Sequence, residues 1–170
     1  MSYDYSSTQV NLPNDLAKIV EKLTHELINK NDLYTDGGDT GLPDVSHVTV
    51  LYGIEDDLPS VELQDFIKHY PKFTITLGKI SLFKNDECDV VKVEVISPDL
   101  HVLHNEFADI VPNTQTFPDY MPHVTMAYVN KGTYDHLENM NKLSGLSFLA
   151  DSVIFSTRDE KHVPIALGKY

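Results

Sequence analysis

The 170-residue sequence is poor in several residue types, and each shortage excludes a class of function. The single cysteine, Cys88, has no partner for an internal disulfide and cannot build a thiolate metal site. There is one arginine, Arg158, and the 13 basic residues stand against 26 acidic ones, which gives a net charge of −13. Proteins that follow a long polyanion need clustered Lys and Arg to displace its counterions. We therefore expect no long nucleic acid as a partner.

Membrane and export signals are missing as well. No apolar run approaches the length that spans a bilayer, and residues 1–5 lack the basic and apolar regions of a secretory signal. The sequence therefore predicts a cytoplasmic protein with no membrane partner. A chain of this length, with an ordinary hydrophobic content of 41%, predicts one globular domain over residues 1–170, and we expect a monomer.

The most informative feature that is present is a repeated segment. Residues 47–52 read HVTVLY and residues 123–128 read HVTMAY, so His, Val, Thr and Tyr recur at the same places. Both segments are rich in β-branched and aromatic residues, and a proline lies upstream of each, at Pro43 and Pro122. This composition is typical of a buried β-strand that is entered from a turn.

Alternation along a strand decides which of these side chains share a face. His47 and Thr49 fall on one face of the first copy, and His123 and Thr125 fall on one face of the second. If the two strands are neighbours, two imidazoles and two hydroxyls converge. Such a group can hold a phosphate and move a proton on each side of it. The same alternation turns the last tyrosine of each copy toward the core, Tyr52 and Tyr128.

This doubled His-x-Thr motif resembles the signature of the 2H phosphoesterase superfamily, which includes the RNA 2′,3′-cyclic phosphodiesterases once called 2′-5′ RNA ligases. The resemblance covers most of the chain, because the motifs lie in the two halves of one domain. It implies an α+β, bilobed fold in which two pseudo-symmetric β-sheet lobes with outer helices enclose a central cleft. Residues 5–13 and the small acidic chain are similar to viral anti-CBASS members, which destroy cyclic-nucleotide immune signals in the host cytoplasm.

The hydrophobic periodicity by itself predicts an α+β domain with the order β-α-β-α-β-β-α-β-α-β-β. Strands are expected at residues 8–12, 73–83, 89–96, 146–156 and 162–167, besides the two motif strands, and helices at about 14–31, 58–71, 98–111 and 133–143.

Phosphodiester cleavage near neutral pH requires a base that activates the nucleophile and an acid that protonates the leaving oxygen. Histidine, with an ordinary pKa of ~6.5, suits both roles, so we expect no cofactor. The resemblance makes His47 the base and His123 the acid for attack by a ribose 2′-hydroxyl, with the roles reversed when water opens a cyclic phosphate. Thr49 and Thr125 would donate hydrogen bonds to the non-bridging oxygens. The competing interpretation is that both histidines are buried structural residues.

Candidate substrate-binding residues lie on or near the first strand and in the loops that precede the motif strands. Such loops often carry groups that hold a substrate, and an aromatic ring can stack on a base. Ordinary loop packing is the alternative for the loop aromatics. The candidates are Tyr5, Gln9, Tyr34, Phe117 and Tyr120.

No metal site is expected. The acidic loop at residues 31–44 lacks the ligand layout of a calcium loop. His101 and His104 lie three apart on a predicted helix, but no carboxylate or Cys accompanies them at a matching spacing, so an ordinary helix surface is the better interpretation.

Three functions remain open, each with a small nucleotide as the partner. The first is a metal-independent phosphodiesterase for small cyclic oligonucleotides. The second is RNA-end processing, on 2′,3′-cyclic phosphates or 2′-5′ linkages, which calls for a basic surface near the cleft. The third is a non-catalytic protein that sequesters a nucleotide.

Overall fold

The computed structural model describes residues 3–35, 41–115 and 119–168. Its strands are β1 Ser6–Asn11, β2 His47–Ile54, β3 Phe73–Lys84, β4 Asp89–Ile96, β5 His123–Val129, β6 Ser147–Ala150, β7 Ser152–Ser156 and β8 His162–Ala166, and its α-helices are α1 Asn14–Leu27, α2 Val61–His69 and α3 Pro98–Ile110. The strands form one antiparallel sheet in the order β6-β3-β4-β5-β2-β1-β7-β8. The predicted α+β class is confirmed.

The sheet consists of two four-stranded halves that meet at the motif strands. β2 and β5 pair through Val48 and Val124, at the centre of the strand order. Each half contains a β-α-β unit, β1-α1-β2 in one and β4-α3-β5 in the other, and the helix of each unit contacts the motif strand of the opposite half. The predicted bilobed, pseudo-symmetric architecture is therefore confirmed, with the lobes as halves of one continuous sheet.

The helices begin where the local sequence favours it and bury one apolar stripe each. Pro13, with φ −62°, directly precedes α1, and Pro98 opens α3. Ser60 caps α2 by accepting the N–H of Leu63 at 3.2 Å. Nearly all of the buried apolar side chains of helices and sheet form one cluster. Within the described residues, no helix has the length and apolar character needed to span a membrane.

The prediction of a fourth helix at residues 133–143 is wrong. The segment forms only a single 3-10 turn, Asp135–Leu137, and then runs along the outer edge of β3. The N–H of Asn139 donates to the carbonyl of Ile80 at 2.9 Å, and the carbonyl of Met140 accepts the N–H of Ile80 at 2.8 Å. The short β6 pairs only with the first part of β3, from Phe73 to Thr76, and leaves the rest of that edge unpaired. The backbone groups of this edge need hydrogen-bond partners, and this requirement outweighs the helical periodicity of the segment.

Two predicted boundaries also change. The first helix ends at Leu27 instead of near residue 31, where a one-turn 3-10 helix follows. The strand predicted at 146–156 is two strands separated at Asp151, because β6 pairs with β3 whereas β7 pairs with β1 and β8. The chain therefore crosses from one half of the sheet to the other at this residue.

Candidate active site

Both motif strands contain a β-bulge at the same position. In β2, Thr49 and Leu51 pair with consecutive residues of β1, which leaves Val50 as the extra residue. The pairing of β5 with β4 repeats this irregularity, with Met126 as the extra residue. A bulge reverses the alternation of the side chains that follow it.

Because of the bulges, the last tyrosine of each motif lies on the same face as its histidine. Tyr52 and Tyr128 are 39% and 40% exposed, while Leu51 and Ala127 take the buried places. The prediction that both tyrosines face the core is therefore wrong. The motif that shares one face is His-x-Thr-x-x-Tyr, twice.

The structure brings the four predicted catalytic side chains to one face of two neighbouring strands. His47, Thr49, His123 and Thr125 are all half-buried there, opposite the helix-covered core. In the antiparallel register set by Val48 and Val124, each histidine stands opposite the threonine of the other strand. Side chains directly opposite each other have Cβ atoms about 4.5–5.5 Å apart. We call this side of the sheet the open face.

The two imidazoles are held in the same way. His47 donates from Nδ1 to the carbonyl of Val45 at 2.8 Å, and His123 donates from Nδ1 to the carbonyl of Met121 at 2.8 Å. Because a carbonyl only accepts, this contact puts the proton of the neutral ring on Nδ1. Nε2 is left as the atom of each ring that can take up or release a proton.

Burial lowers the pKa of both histidines below the ordinary value of 6.5, although each backbone carbonyl partly opposes the effect. His162 lowers the pKa of His47 further, whereas Lys92 and His47 lower that of His123. Burial therefore favours the neutral form of both rings in the free protein. His47 lies within electrostatic reach of His123, since it lowers the pKa of that ring.

Three side chains hold the bulge of β2. Tyr120 donates its hydroxyl to the carbonyl of Thr49 at 2.7 Å. His104 donates from Nδ1 to the carbonyl of Val50 at 2.7 Å. The hydroxyl of Thr8 accepts the backbone N–H of Leu51 at 3.1 Å. The backbone groups that the bulge removes from the regular ladder are thus satisfied, and Thr49 is fixed in place.

Tyr120 and the two helical histidines form one aromatic group. The ring of Tyr120 stacks on His104 with centroids 4.1 Å apart and contacts the edge of His101 at 5.3 Å. Burial raises the pKa of Tyr120 far above its ordinary range. These contacts give Tyr120 a structural role, and its use in substrate binding stays a prediction. No metal-binding group is found among the described residues.

Two of the other substrate-binding candidates lie by the motif of β2. Gln9 pairs with Thr49, is 6% exposed, and donates from Nε2 to Asn11 Oδ1 at 2.7 Å. Tyr5 packs edge-on against Tyr52 with centroids 5.9 Å apart. Whether they contact a substrate stays a prediction.

Tyr34 lies at the far end of β5. Its hydroxyl donates to Glu87 Oε2 at 3.3 Å, and its N–H donates to the carbonyl of Tyr128 at 2.9 Å. Its role in substrate binding stays a prediction. Phe117 lies outside the described residues.

The loops that precede the motif strands close the gap where β2 and β5 diverge. Gly41 accepts the N–H of Tyr128 at 2.8 Å, and Gly53 accepts the N–H of Thr114 at 2.8 Å, so each loop pairs with the end of the other motif strand. Gly53 has φ +88°, and a Cβ atom there would lie 2.0 Å from the carbonyl oxygen of Thr114. Only glycine fits this crossing.

One residue of the open face was missed by the sequence prediction. Lys92 pairs with Thr125 just as Gln9 pairs with Thr49, and it is 6% exposed. The available signal was a lysine between valines in a strand whose other side is apolar. That signal identifies no site until the register shows that the neighbour of Lys92 is Thr125.

Solved structures share this fold over nearly the whole chain. E. coli LigT complexed with 3′-AMP is 15% identical, with a TM-score of 0.67, and 96% of this chain and 98% of that chain are covered. TT0787 of Thermus thermophilus is 14% identical, with a TM-score of 0.62, and the coverage is 98% and 100%. A structure described as a phosphoesterase is 15% identical, with a TM-score of 0.64 and the same coverage. The chain therefore shares its fold with these three proteins.

The family follows from the sequence model. The model of the 2′-5′ RNA ligase superfamily matches residues 13–162, which include both motif strands. The chain belongs to this superfamily, that of the 2H phosphoesterases, and is a phosphodiesterase of the 2H type. No curated protein sequence matches it significantly.

Proposed function

We propose that the chain is a metal-independent phosphodiesterase that cleaves small cyclic oligonucleotides with His47 as the base and His123 as the acid. The observation that carries this proposal is the matched pair of imidazoles, each tied through Nδ1 to the carbonyl two residues earlier. A histidine with a purely structural role would not need a second histidine held in the same way. Two groups of this kind supply both proton transfers of an in-line displacement.

The reaction is a displacement at phosphorus. One imidazole takes the proton of a ribose 2′-hydroxyl as the bond from O2′ to phosphorus forms. The other gives its proton to the leaving 5′ oxygen as the bond from phosphorus to that oxygen breaks, and a 2′,3′-cyclic phosphate results. The family resemblance makes His47 the base and His123 the acid in this step. Hydroxyl donors from Thr49 and Thr125 then stabilise the charge that grows on the non-bridging oxygens.

The substrate class is argued from charge and size. With a net charge of −13 and a single arginine, the chain lacks the basic track that long RNA requires. A small cyclic oligonucleotide needs only local contacts at one or two phosphates. The similarity of residues 5–13 to viral anti-CBASS enzymes supports a role in which such signals are degraded in the host cytoplasm.

RNA-end processing is the second candidate. It is favoured by the family, which is named for 2′-5′ RNA ligases, and by the likeness to LigT, which was solved with 3′-AMP. The substrates would then be nucleoside 2′,3′-cyclic phosphates or 2′-5′ linkages.

The test is cleavage of a substrate panel in EDTA by the wild type, His47→Ala, His123→Ala and His69→Ala. The panel holds cyclic di- and trinucleotides, 2′-5′ oligoadenylate, nucleoside 2′,3′-cyclic phosphates and single-stranded RNA. His69→Ala is the matched control, because His69 is an exposed residue of α2. We expect cyclic oligonucleotides to be cleaved by the wild type and the control only.

The other outcomes separate the alternatives. Cleavage of RNA ends or 2′-5′ linkages, with the cyclic oligonucleotides intact, would replace the proposal by the second candidate. Tight binding of a nucleotide without turnover would identify a sequestering protein. Full activity of either motif variant would overturn the catalytic assignment.

A further inference from the structure

Lys92 is a buried cation on the open face of the sheet. Its ammonium donates to the hydroxyl of Ser81 and lies 4.2 Å from the centroid of the Phe83 ring. In the part of the chain that the structure describes, no ion pair involves it. Lysine is rarely this buried without a carboxylate, because loss of hydration destabilises the charge. Its pKa is accordingly lowered, chiefly by burial.

The position of Lys92 is not explained by packing alone. It stands next to Thr125 in the sheet, and the pseudo-symmetric place next to Thr49 holds Gln9. Both halves of the sheet thus put a long side chain with a nitrogen donor beside the threonine of the motif. Only one of the two donors carries a charge.

We propose that Lys92 binds a non-bridging oxygen of the substrate's phosphate, with Ser81 and Phe83 holding its side chain in position. This inference rests on the proposed function. Glu94 and Glu138 raise the pKa of Lys92 from a distance, but within the described residues neither forms an ion pair with it. A phosphate would supply a directly bonded anion at the point where the four motif side chains converge. The charge on these oxygens is held by a fixed cation in a site of low hydration, where electrostatic interactions are strongest. Ser81 and the Phe83 ring reduce the cost of burial while the site is empty.

The surroundings of His123 make the inference measurable by pH. Glu94 is opposite His123 on β4, Lys92 is the next residue of that face, His47 approaches from β2, and the Phe83 ring contacts His123 edge-on at 5.0 Å. Removal of the ammonium deletes a like charge from this set. The pKa of His123 should then rise.

The experiment compares Lys92→Met, Lys92→Arg and the control Lys68→Met, an exposed lysine of α2. With a cyclic dinucleotide as substrate, we expect Lys92→Met to lose about 10²–10³-fold in kcat, as when one preorganised donor is removed. Lys92→Arg should recover part of the loss, and Lys68→Met should match the wild type. The limb of the kcat/KM–pH profile that His123 sets should lie at higher pH in Lys92→Met than in the wild type.

A binding measurement separates this inference from the proposed function. Inorganic phosphate and orthovanadate are titrated into each variant by calorimetry, and Tm is followed with and without phosphate. We expect the affinity of Lys92→Met to fall by about 10-fold or more while the variant stays folded, since Met keeps the apolar stem. Equal affinity in Lys92→Met and wild type would overturn the inference, whether or not any nucleotide is cleaved. A wild type that binds phosphate through Lys92 but cleaves nothing in the panel would overturn the proposed function alone.

Discussion

At the scale of single residues, the proposed acid–base pair gives a prediction for the pH range of activity. Both have a pKa below 6.5, with burial as the main cause. The base must be neutral and the acid protonated, so kcat/KM should pass through a maximum on the acidic side of pH 6.5. Its basic limb reports the loss of the acid's proton.

The check is the profile of kcat/KM and kcat from about pH 4.5 to about pH 8.5. A bound phosphate anion raises the pKa of both rings, so the kcat profile should lie at higher pH than that of kcat/KM. A maximum of kcat/KM above pH 7 would contradict the lowered pKa of the two histidines.

The threonines are the second residue-scale prediction. Thr49→Val and Thr125→Val keep the shape of the side chain and remove the hydroxyl. We expect each to lower kcat by about 10²–10³-fold, because a donor to the developing charge is lost. Thr74→Val, at an exposed position of β3, is the matched control. If kcat of either motif variant equals that of the control, the hydroxyls do not act on the transition state.

At the scale of the elements, the two bulges mark the limit of sequence prediction. The repeated motif identified two strands and put the His and Thr of each on one face, because local composition and alternation carry that information. That the two strands are neighbours was only a condition of the prediction, which the family resemblance supported. It failed at Tyr52 and Tyr128, because a single extra residue reverses alternation and no side chain type announces it. The failure at residues 133–143 has a related cause. The exposed edge of β3, which lies far away in sequence, determines the conformation there.

The side-chain hydrogen bonds that hold the β2 bulge give the first element-scale prediction. Tyr120→Phe removes the hydrogen bond to the carbonyl of Thr49 and keeps the ring on His104. We expect a loss of about 1 kcal/mol in the free energy of unfolding and a lower kcat with KM unchanged, since Thr49 is held less firmly. Urea unfolding and steady-state kinetics measure both.

Tyr120→Leu tests the competing role of this ring. A ring that stacks on a base contributes about 1–3 kcal/mol to binding. If Tyr120 were such a platform, Tyr120→Leu would raise KM strongly while Tyr120→Phe would not change kcat.

The crossing at Gly53 gives the second element-scale prediction. Gly53→Ala meets both a positive φ and a contact of 2.0 Å with the carbonyl oxygen of Thr114. Gly132→Ala is a matched control, because Gly132 has φ +76° but nothing within 4 Å of the added Cβ. We expect the control to lose about 1 kcal/mol of unfolding free energy and Gly53→Ala to lose clearly more. Similar losses in urea unfolding would show that the loop at Thr114 moves aside freely.

At the scale of the whole molecule, the two halves repeat a scaffold but not its charges. The β-α-β units, the bulges and the Nδ1 contacts of the histidines recur, whereas Gln9 in one half corresponds to Lys92 in the other. A symmetric scaffold can place an acid and a base on opposite sides of one phosphorus. The difference between Gln9 and Lys92 distinguishes the two sides, so under our proposal a bound phosphate contacts a cation in one half only.

The net charge of −13 gives a prediction for the molecule as a whole. An enzyme that binds a polyanion through 6–10 phosphate contacts loses about 10³–10⁵-fold in affinity between about 50 and about 200 mM salt. Here the overall field repels an anionic substrate, and salt screens that repulsion over a Debye length of about 10 Å at 0.1 M. We therefore expect kcat/KM for a cyclic dinucleotide to stay level or rise as NaCl increases over this range. Lys68→Glu, which adds negative charge on an exposed face of α2, should steepen the rise. A steep fall of kcat/KM with salt would instead reveal a basic track and would favour RNA as the substrate.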